Sequence, residues 1–431
     1  GVLLSLGRRF ETVLRIERLG IPIALVVGLI ALLLGPYGPL HVLPKNVADI
    51  WTELPTPLLT LIFATLMLGR PLPKSKGLWR PVASQALLAL LLGFGQYLVG
   101  GLAVLFLLIP LLNVDPLMGC LIEVGFEGGH GAAAVMGESF NKLGFPGGLD
   151  LGLAMATVGL LSSTIIGSVL VFLARQRGWG VSKSLDLVKS DFDDIIEKNP
   201  IKSLEKLLIN LALIGFSVII GCIFLYFLRL SSSYIGGIFE EVLLVFPVFP
   251  MALLGSLLVR ITLEKTNFTF LSSELLQREI STLSTDLLIT TAMASMNLPL
   301  LASNWLPILI LASIGLIWNL FGMFTFARIT FRKEWFERSI TEFGNATGVA
   351  ASGLLLLRLA DPKDVTKTLP IFSIKQLFLQ PLLSGGLVTV IAPLAIIRFG
   401  LAEWTEICAV LTTLFILISF FLNQDLSRET Y

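Results

Sequence analysis

The segment Gly125-Phe126-Glu127-Gly128-Gly129-His130-Gly131-Ala132 sets a carboxylate and an imidazole among glycines, inside sequence that is otherwise lipid-soluble. Backbone of that kind is tolerated at membrane depth only where protein shields it or a watery cavity lines it. The chemistry it offers is passage of an ion or solute. Glu127 and His130 are three apart, so a continued helix would place both on one face. A weaker polar break follows at Phe343-Gly344-Asn345-Ala346-Thr347-Gly348-Val349-Ala350. Asn345 and Thr347 supply neutral oxygens that suit sodium, a hard cation, and with Glu127 they are the candidate sodium ligands. A helix that stops partway through the membrane leaves amides and carbonyls unpaired, ready for a carboxylate or a dehydrated cation, and glycine lets the ligand approach them. The plainer reading is that these glycines only allow close helix packing, with His130 bonded to a neighbouring carbonyl. Glu127 weighs against it, because an acid inside a membrane is costly and is usually there for function.

Other ionisable residues divide less cleanly. Glu123, one turn before Glu127, shares that site or faces water at the hairpin mouth, whereas Glu138 belongs to an exposed end. Lys375 and Gln380 interrupt an apolar helix after the second break. Lys375 is either a counter-charge for an anionic substrate or a side chain that snorkels to the cytoplasmic surface, and its position favours snorkelling. An enzyme has little to stand on, with His41 and His130 the only histidines and no HExxH, GxSxG or phosphate-loop pattern. The missing nucleotide loop also argues against a primary pump, and gradient-driven transport remains.

The elements that carry these breaks are membrane helices. Of the 431 residues 55% are hydrophobic and 14% charged, and the mean hydropathy is +0.87. This is an all-α polytopic membrane protein. A net charge of +1, with basic residues in short blocks, points to no nucleic acid. Cys120, Cys222 and Cys408 lie in apolar segments without CxxC spacing and read as core filler. Runs able to cross roughly 30 Å of hydrocarbon fall near residues 20–36, 52–69, 82–109, 150–173, 205–228, 240–259, 283–301, 305–327, 369–397 and 404–422. Val2-Leu3-Leu4-Ser5-Leu6-Gly7-Arg8-Arg9 reads like the tail of a truncated first helix meeting a basic loop.

Lysine and arginine orient the chain, because they accumulate in cytoplasmic loops. With about 116–140 and 340–358 as re-entrant hairpins, nearly all basic residues fall inside, leaving only Lys45, Lys142, Arg229 and Arg398 outside. The expected organisation is an N-terminal repeat over 1–173, a cytoplasmic linker over 174–204 and a C-terminal repeat over 205–397. An extra helix and cytoplasmic tail occupy 398–431. Five spans per half make the repeats inverted, and paired polar breaks in the two halves suggest a transporter.

Asp115-Pro116-Leu117-Met118-Gly119, then Gly128-Gly129-His130-Gly131 and Ala154-Met155-Ala156-Thr157-Val158-Gly159-Leu160, resemble the bacterial sodium:glutamate symporter family. Phe343-Gly344 with Ala346-Thr347 adds a weaker likeness. The resemblance implies two inverted five-helix repeats with re-entrant hairpins, in a homodimer whose scaffold domains stay fixed while transport domains move, in a bacterial inner membrane. It implies sodium-coupled uptake of glutamate or a related small carboxylate, with no cofactor beyond the coupling ion. Gly128, Gly129, His130, Gly131 and Thr157 would line one half of the site, and Gly344, Asn345, Ala346 and Thr347 the other. The family typically has a small hydroxyl residue before GGHG, where this chain has Glu127, and a threonine after it, where this chain has Ala132. Two alternatives stand beside symport. One is a cation or proton antiporter built on Glu127 and Glu123, and the other a non-transporting membrane sensor that reports ligand through the 174–204 linker.

Overall fold

The computed structural model describes residues 23–68, 79–180, 200–237, 240, 243, 246–331 and 334–428, and among them there is no β-strand. The expected truncated first helix and most of the expected linker lie outside these residues. In chain order the first elements are α1 (Ile23–Leu34), α2 (Lys45–Glu53), α3 (Pro55–Leu66), α4 (Trp79–Leu112), α5 (Leu121–Gly125), α6 (Gly129–Lys142) and α7 (Gly148–Arg177). There follow α8 (Pro200–Ile235), α9 (Val248–Lys265), α10 (Glu274–Ala294), α11 (Leu298–Ser303) and α12 (Trp305–Thr330). The chain closes with α13 (Trp335–Ala360), α14 (Thr368–Leu379), α15 (Leu387–Phe399) and α16 (Leu401–Arg428). Seven helical stretches among the described residues, with α2 and α3 counted as one, are long and apolar enough to cross a membrane, which makes this a multi-pass membrane protein.

Local sequence explains where these helices begin and end. Pro55 and Pro57 occupy the first turn of α3, where a missing N–H costs nothing. Asp115 caps the 3₁₀ turn Pro116–Cys120 by accepting from Leu117 N, and this turn leads directly into α5. Arg175 and Arg177 sit in the last turn of α7, which Gly178 ends at φ 65°. α4 and α12 each contain a π-helical segment near the C-terminal end, at Val104–Leu108 and Gly322–Phe326, and each leads to one of the polar breaks.

Two compact units emerge, and each draws on both halves of the sequence. One contains α1, α2, α3, α8, α9 and α10, with Ala64, Leu68, Ile214 and Ala252 in its core. The other contains α4 to α7 and α11 to α16. Its core includes Leu88, Leu91, Leu92, Ala327 and Ala346, and a second cluster of Leu170, Val171, Phe336, Phe343 and Leu356. Both polar breaks belong to this second unit.

Three expectations need correction. The apolar run 369–397 is two short helices, α14 and α15, separated at 380–386, because Ser384 takes φ 57° and Gly385 φ 90°. The span placed at 283–301 is α10 over Glu274–Ala294, after which Asn297 caps the separate α11. Cys120 and Cys408 are buried, but Cys222 is exposed on α8 and is not core filler.

Candidate functional site

α13 is long enough to cross a membrane, yet its backbone turns back. Gly348 and Val349 leave helical dihedrals at φ −151°, ψ 34° and φ 64°, ψ 172°. A methyl group built on Gly344 would lie 2.7 Å from Gly353 Cα, a contact that only two antiparallel arms, 335–347 and 350–360, permit. Glycines at 344 and 353 let those arms touch. Val349 is β-branched and left-handed, a conformation held at a cost of about 1–3 kcal/mol and found chiefly at functional positions. The first break has the same form, with α5 and α6 separated by Phe126, Glu127 and Gly128 and with Gly129 at φ 66°.

α7 brings the two breaks together. Gly152, Ala156, Gly159, Ser163 and Gly167 recur every three or four residues and therefore line one face of that helix. A methyl group on Gly152 would lie 3.2 Å from Ala133 Cβ, and one on Gly125 would lie 2.9 Å from Ala156 N. At Gly159 the added carbon would lie 2.3 Å from Thr347 O and 2.7 Å from the Phe126 ring, so one glycine touches both breaks. Further along, Ser163 Oγ donates to Gly344 O at 3.3 Å, and Gly167 makes room for Leu356. The breaks also meet directly, since a methyl group on Gly129 would lie 2.3 Å from Val349 Cγ1.

The acids of the first break face a loop that the sequence did not mark. Glu123 is fully buried. It accepts from Tyr97 Oη at 2.5 Å, Thr389 Oγ1 at 2.9 Å and Ser384 N at 3.2 Å. It does not open to water at the hairpin mouth. Glu127 Oε1 accepts from Ser384 Oγ at 3.2 Å, while its Oε2 is buried without a hydrogen-bond partner among the described residues. That oxygen lies over Gly93, where a methyl group would come within 2.9 Å of it. Glu138 is exposed and pairs with Lys142 at 2.7 Å, as an exposed end requires. His130 Nε2 lies 3.1 Å from Thr157 Oγ1. Thr157 spends its proton on Leu153 O at 2.9 Å, so His130 Nε2 is the donor of the pair.

The second break carries a charged network of its own. Lys375 does not snorkel, being only 1% exposed, and its Nζ lies 2.9 Å from Oε2 of the fully buried Glu342. The same ammonium donates to Gln376 Oε1 at 2.7 Å, and Gln376 Nε2 donates to Asn345 Oδ1 at 3.0 Å. Gln85 Nε2 donates to Glu342 Oε1 at 2.9 Å, and Arg338 Nε donates to Gln85 Oε1 at 2.9 Å. Asn345 therefore turns its carbonyl to Gln376, and its Nδ2 is left buried without a partner among the described residues. Gln96 Nε2 donates to Ala346 O at 2.6 Å, and Gln96 Oε1 has no partner among the described residues. Thr347 Oγ1 donates to Phe343 O at 2.5 Å, which keeps its lone pairs for another partner. Among the described residues no cluster of three His, Cys, Asp or Glu could hold a metal ion.

Of the residues singled out in the sequence, Glu127 to Gly131 and Gly344 to Thr347 thus sit at two breaks in contact, with Thr157 beside His130. Sequence reading missed Glu342, Gln376, Gln96, Ser384, Thr389 and Tyr97. Ser384-Gly385-Gly386 was the available signal for a third interruption.

The profile of the sodium/glutamate symporter family matches residues 2–333. No curated protein matches the chain. The solved structure of the sodium proton antiporter MjNhaP1 from Methanocaldococcus jannaschii aligns over 94% of this chain and 97% of its own, at 15% identity and a TM-score of 0.36.

Proposed function

Because the chain belongs to the sodium/glutamate symporter family and is a multi-pass transporter, we propose that it carries out sodium-coupled symport of glutamate or a related small carboxylate by alternating access. The observation that carries this reading is the meeting of the two breaks at Gly129 and Val349. It gathers four helix ends of both polarities. The N-terminal ends of α6 and of the 350–360 arm favour an anion, and the C-terminal ends at Gly125 and Thr347 favour a cation. A solute with a carboxylate and a sodium ion suit that pattern of partial charges together.

Glu127 is the coupling-ion residue in this reading, supported by its buried and unpartnered Oε2. Thr347 contributes a neutral oxygen. Gly128, Gly129, His130 and Gly131 shape one wall, and Gly344 and Ala346 the other. Both broken helices act as re-entrant hairpins, and the two halves as inverted repeats. The order of elements supports repetition, since a long helix with a π-helical segment precedes a broken helix in each half. A homodimer in a bacterial inner membrane is the proposed setting.

The test is uptake of labelled L-glutamate into proteoliposomes under an inward sodium gradient, against a matched potassium control. Sodium-dependent accumulation is expected. Its absence with folded, inserted protein, together with sodium–proton exchange lost in Glu127→Gln, would replace symport by the antiport reading that the unpartnered carboxylate also allows.

A further inference from the structure

The relay that begins at Lys375 fixes which face Asn345 shows to a ligand. Lys375 Nζ is buried and lies 2.7 Å from Gln376 Oε1. An ammonium has donors only, so the Gln376 carbonyl must point at it and the Gln376 NH₂ must point away. That NH₂ lies 3.0 Å from Asn345 Oδ1, so Asn345 must present its carbonyl there. Turning Asn345 alone would set two NH₂ groups against each other, and turning both amides would set one against the ammonium. The charge on Lys375 thereby decides the orientation of an amide two side chains away. What remains is Asn345 Nδ2, a donor on a residue 1% exposed, without a partner among the described residues, three residues before Gly348 where the second hairpin turns. A buried donor left unpaired is expensive, and the group that satisfies it best is a charged acceptor.

We propose that Asn345 is a carboxylate-recognition residue, donating from Nδ2 to an anionic oxygen of the transported solute, and that Lys375 and Gln376 are the positioning residues that hold it in the donor orientation. This rests on the carboxylate-transport reading and deepens it. It reassigns Asn345 from an oxygen ligand of sodium to a donor for the anion. Glu342, 2.9 Å from Lys375, is the carboxylate that pairs with the ammonium and holds it against Gln376.

The experiment measures dissociation constants of L-glutamate, L-glutamine and L-isoglutamine for the purified full chain in sodium chloride by isothermal titration calorimetry. Each amide neutralises one of the two carboxylates of glutamate. Asn345→Asp keeps the shape of the side chain and replaces the donor by an acceptor. It should weaken glutamate binding on the order of ten- to a hundred-fold, while sparing whichever amide carries its NH₂ at the position Asn345 reads. Gln376→Glu supplies a second, independent variant. Its carboxylate faces both Lys375 and Asn345, so the amide must turn round, and the same change in preference should follow with residue 345 untouched. Equal losses for all three compounds, or unchanged glutamate binding in either folded variant, would overturn the inference while leaving carboxylate transport standing. Unaltered protein that binds none of the three compounds, nor aspartate or succinate, would overturn the transport reading and this inference with it.

Discussion

Breaking the buried ion pair gives the sharpest quantitative test of the second break. Lys375 and Glu342 are 1% and 0% exposed and 2.9 Å apart. Lys375→Met leaves Glu342 with the neutral donor Gln85 as its remaining hydrogen-bond partner among the described residues. Glu342→Gln removes the carboxylate in contact with the ammonium. Removing one member of a buried pair costs about 3–5 kcal/mol, because the survivor stays in a low-dielectric interior. The double variant restores neutrality and should cost much less than the sum, giving a coupling on the order of 3 kcal/mol. At roughly 2–4 °C per kcal/mol for a domain of 150–250 residues, each single variant should melt on the order of 10 °C lower. The double variant should fall by no more than about half of that drop. The assay is tryptophan fluorescence of detergent-solubilised protein during heating, repeated at two scan rates because membrane proteins often unfold irreversibly. A double variant that melts lower by the sum of the single losses would show that the charges do not stabilise one another, and would refute the pairing.

Gly159→Ala should lower the melting temperature and abolish uptake in proteoliposomes, because its methyl group would enter 2.3 Å from Thr347 O and 2.7 Å from the Phe126 ring. Uptake at the original rate would show that α7 does not hold the breaks closely. Gly129→Ala combines a left-handed penalty of roughly 1–2 kcal/mol with a clash 2.3 Å from Val349 Cγ1, so both melting temperature and uptake should fall. Tyr97→Phe removes the donor to Glu123 Oε2 and should cost about 1.5–3 kcal/mol if the acid is ionised; an unchanged melt would indicate that this bond contributes nothing. Ser384→Ala removes the hydroxyl that donates to Glu127, and the sodium concentration for half-maximal uptake should shift, whereas a change in maximal rate alone would contradict a role at the ion.

Much of the fold was legible because lipid imposes one rule on every helix. Long apolar runs marked α4, α7, α12 and α16 to within a few residues, and glycine marked both breaks, with Glu127 and His130 in the first and with Asn345 and Thr347 in the second. The failures have a common physical origin. Residues 369–397 are apolar enough to read as one span, and only Ser384 and Gly385, with positive φ, reveal that the chain is interrupted there. Lys375 read as a snorkelling residue because its spacing from a loop permitted it. The partner that keeps it inside, Glu342, is 33 positions earlier and reached only when α13 folds back. Hydropathy along one segment carries no information about such a pairing.

The interleaving of the halves follows from the same limit. A reading by position divides the chain at the linker, whereas burial divides it by which helices share a core, and each unit takes helices from both sides of residue 200. This arrangement brings Gly129 and Val349, one from each break, into contact. Within one unit, Glu127 has a buried oxygen beside the first break and Asn345 a buried donor beside the second, each without a hydrogen-bond partner among the described residues. In the symport reading proposed above, that acceptor and that donor complement an ion and a solute of opposite charge. Their placement on two breaks would then make binding of both depend on the breaks staying together, which is the coupling that a symporter requires.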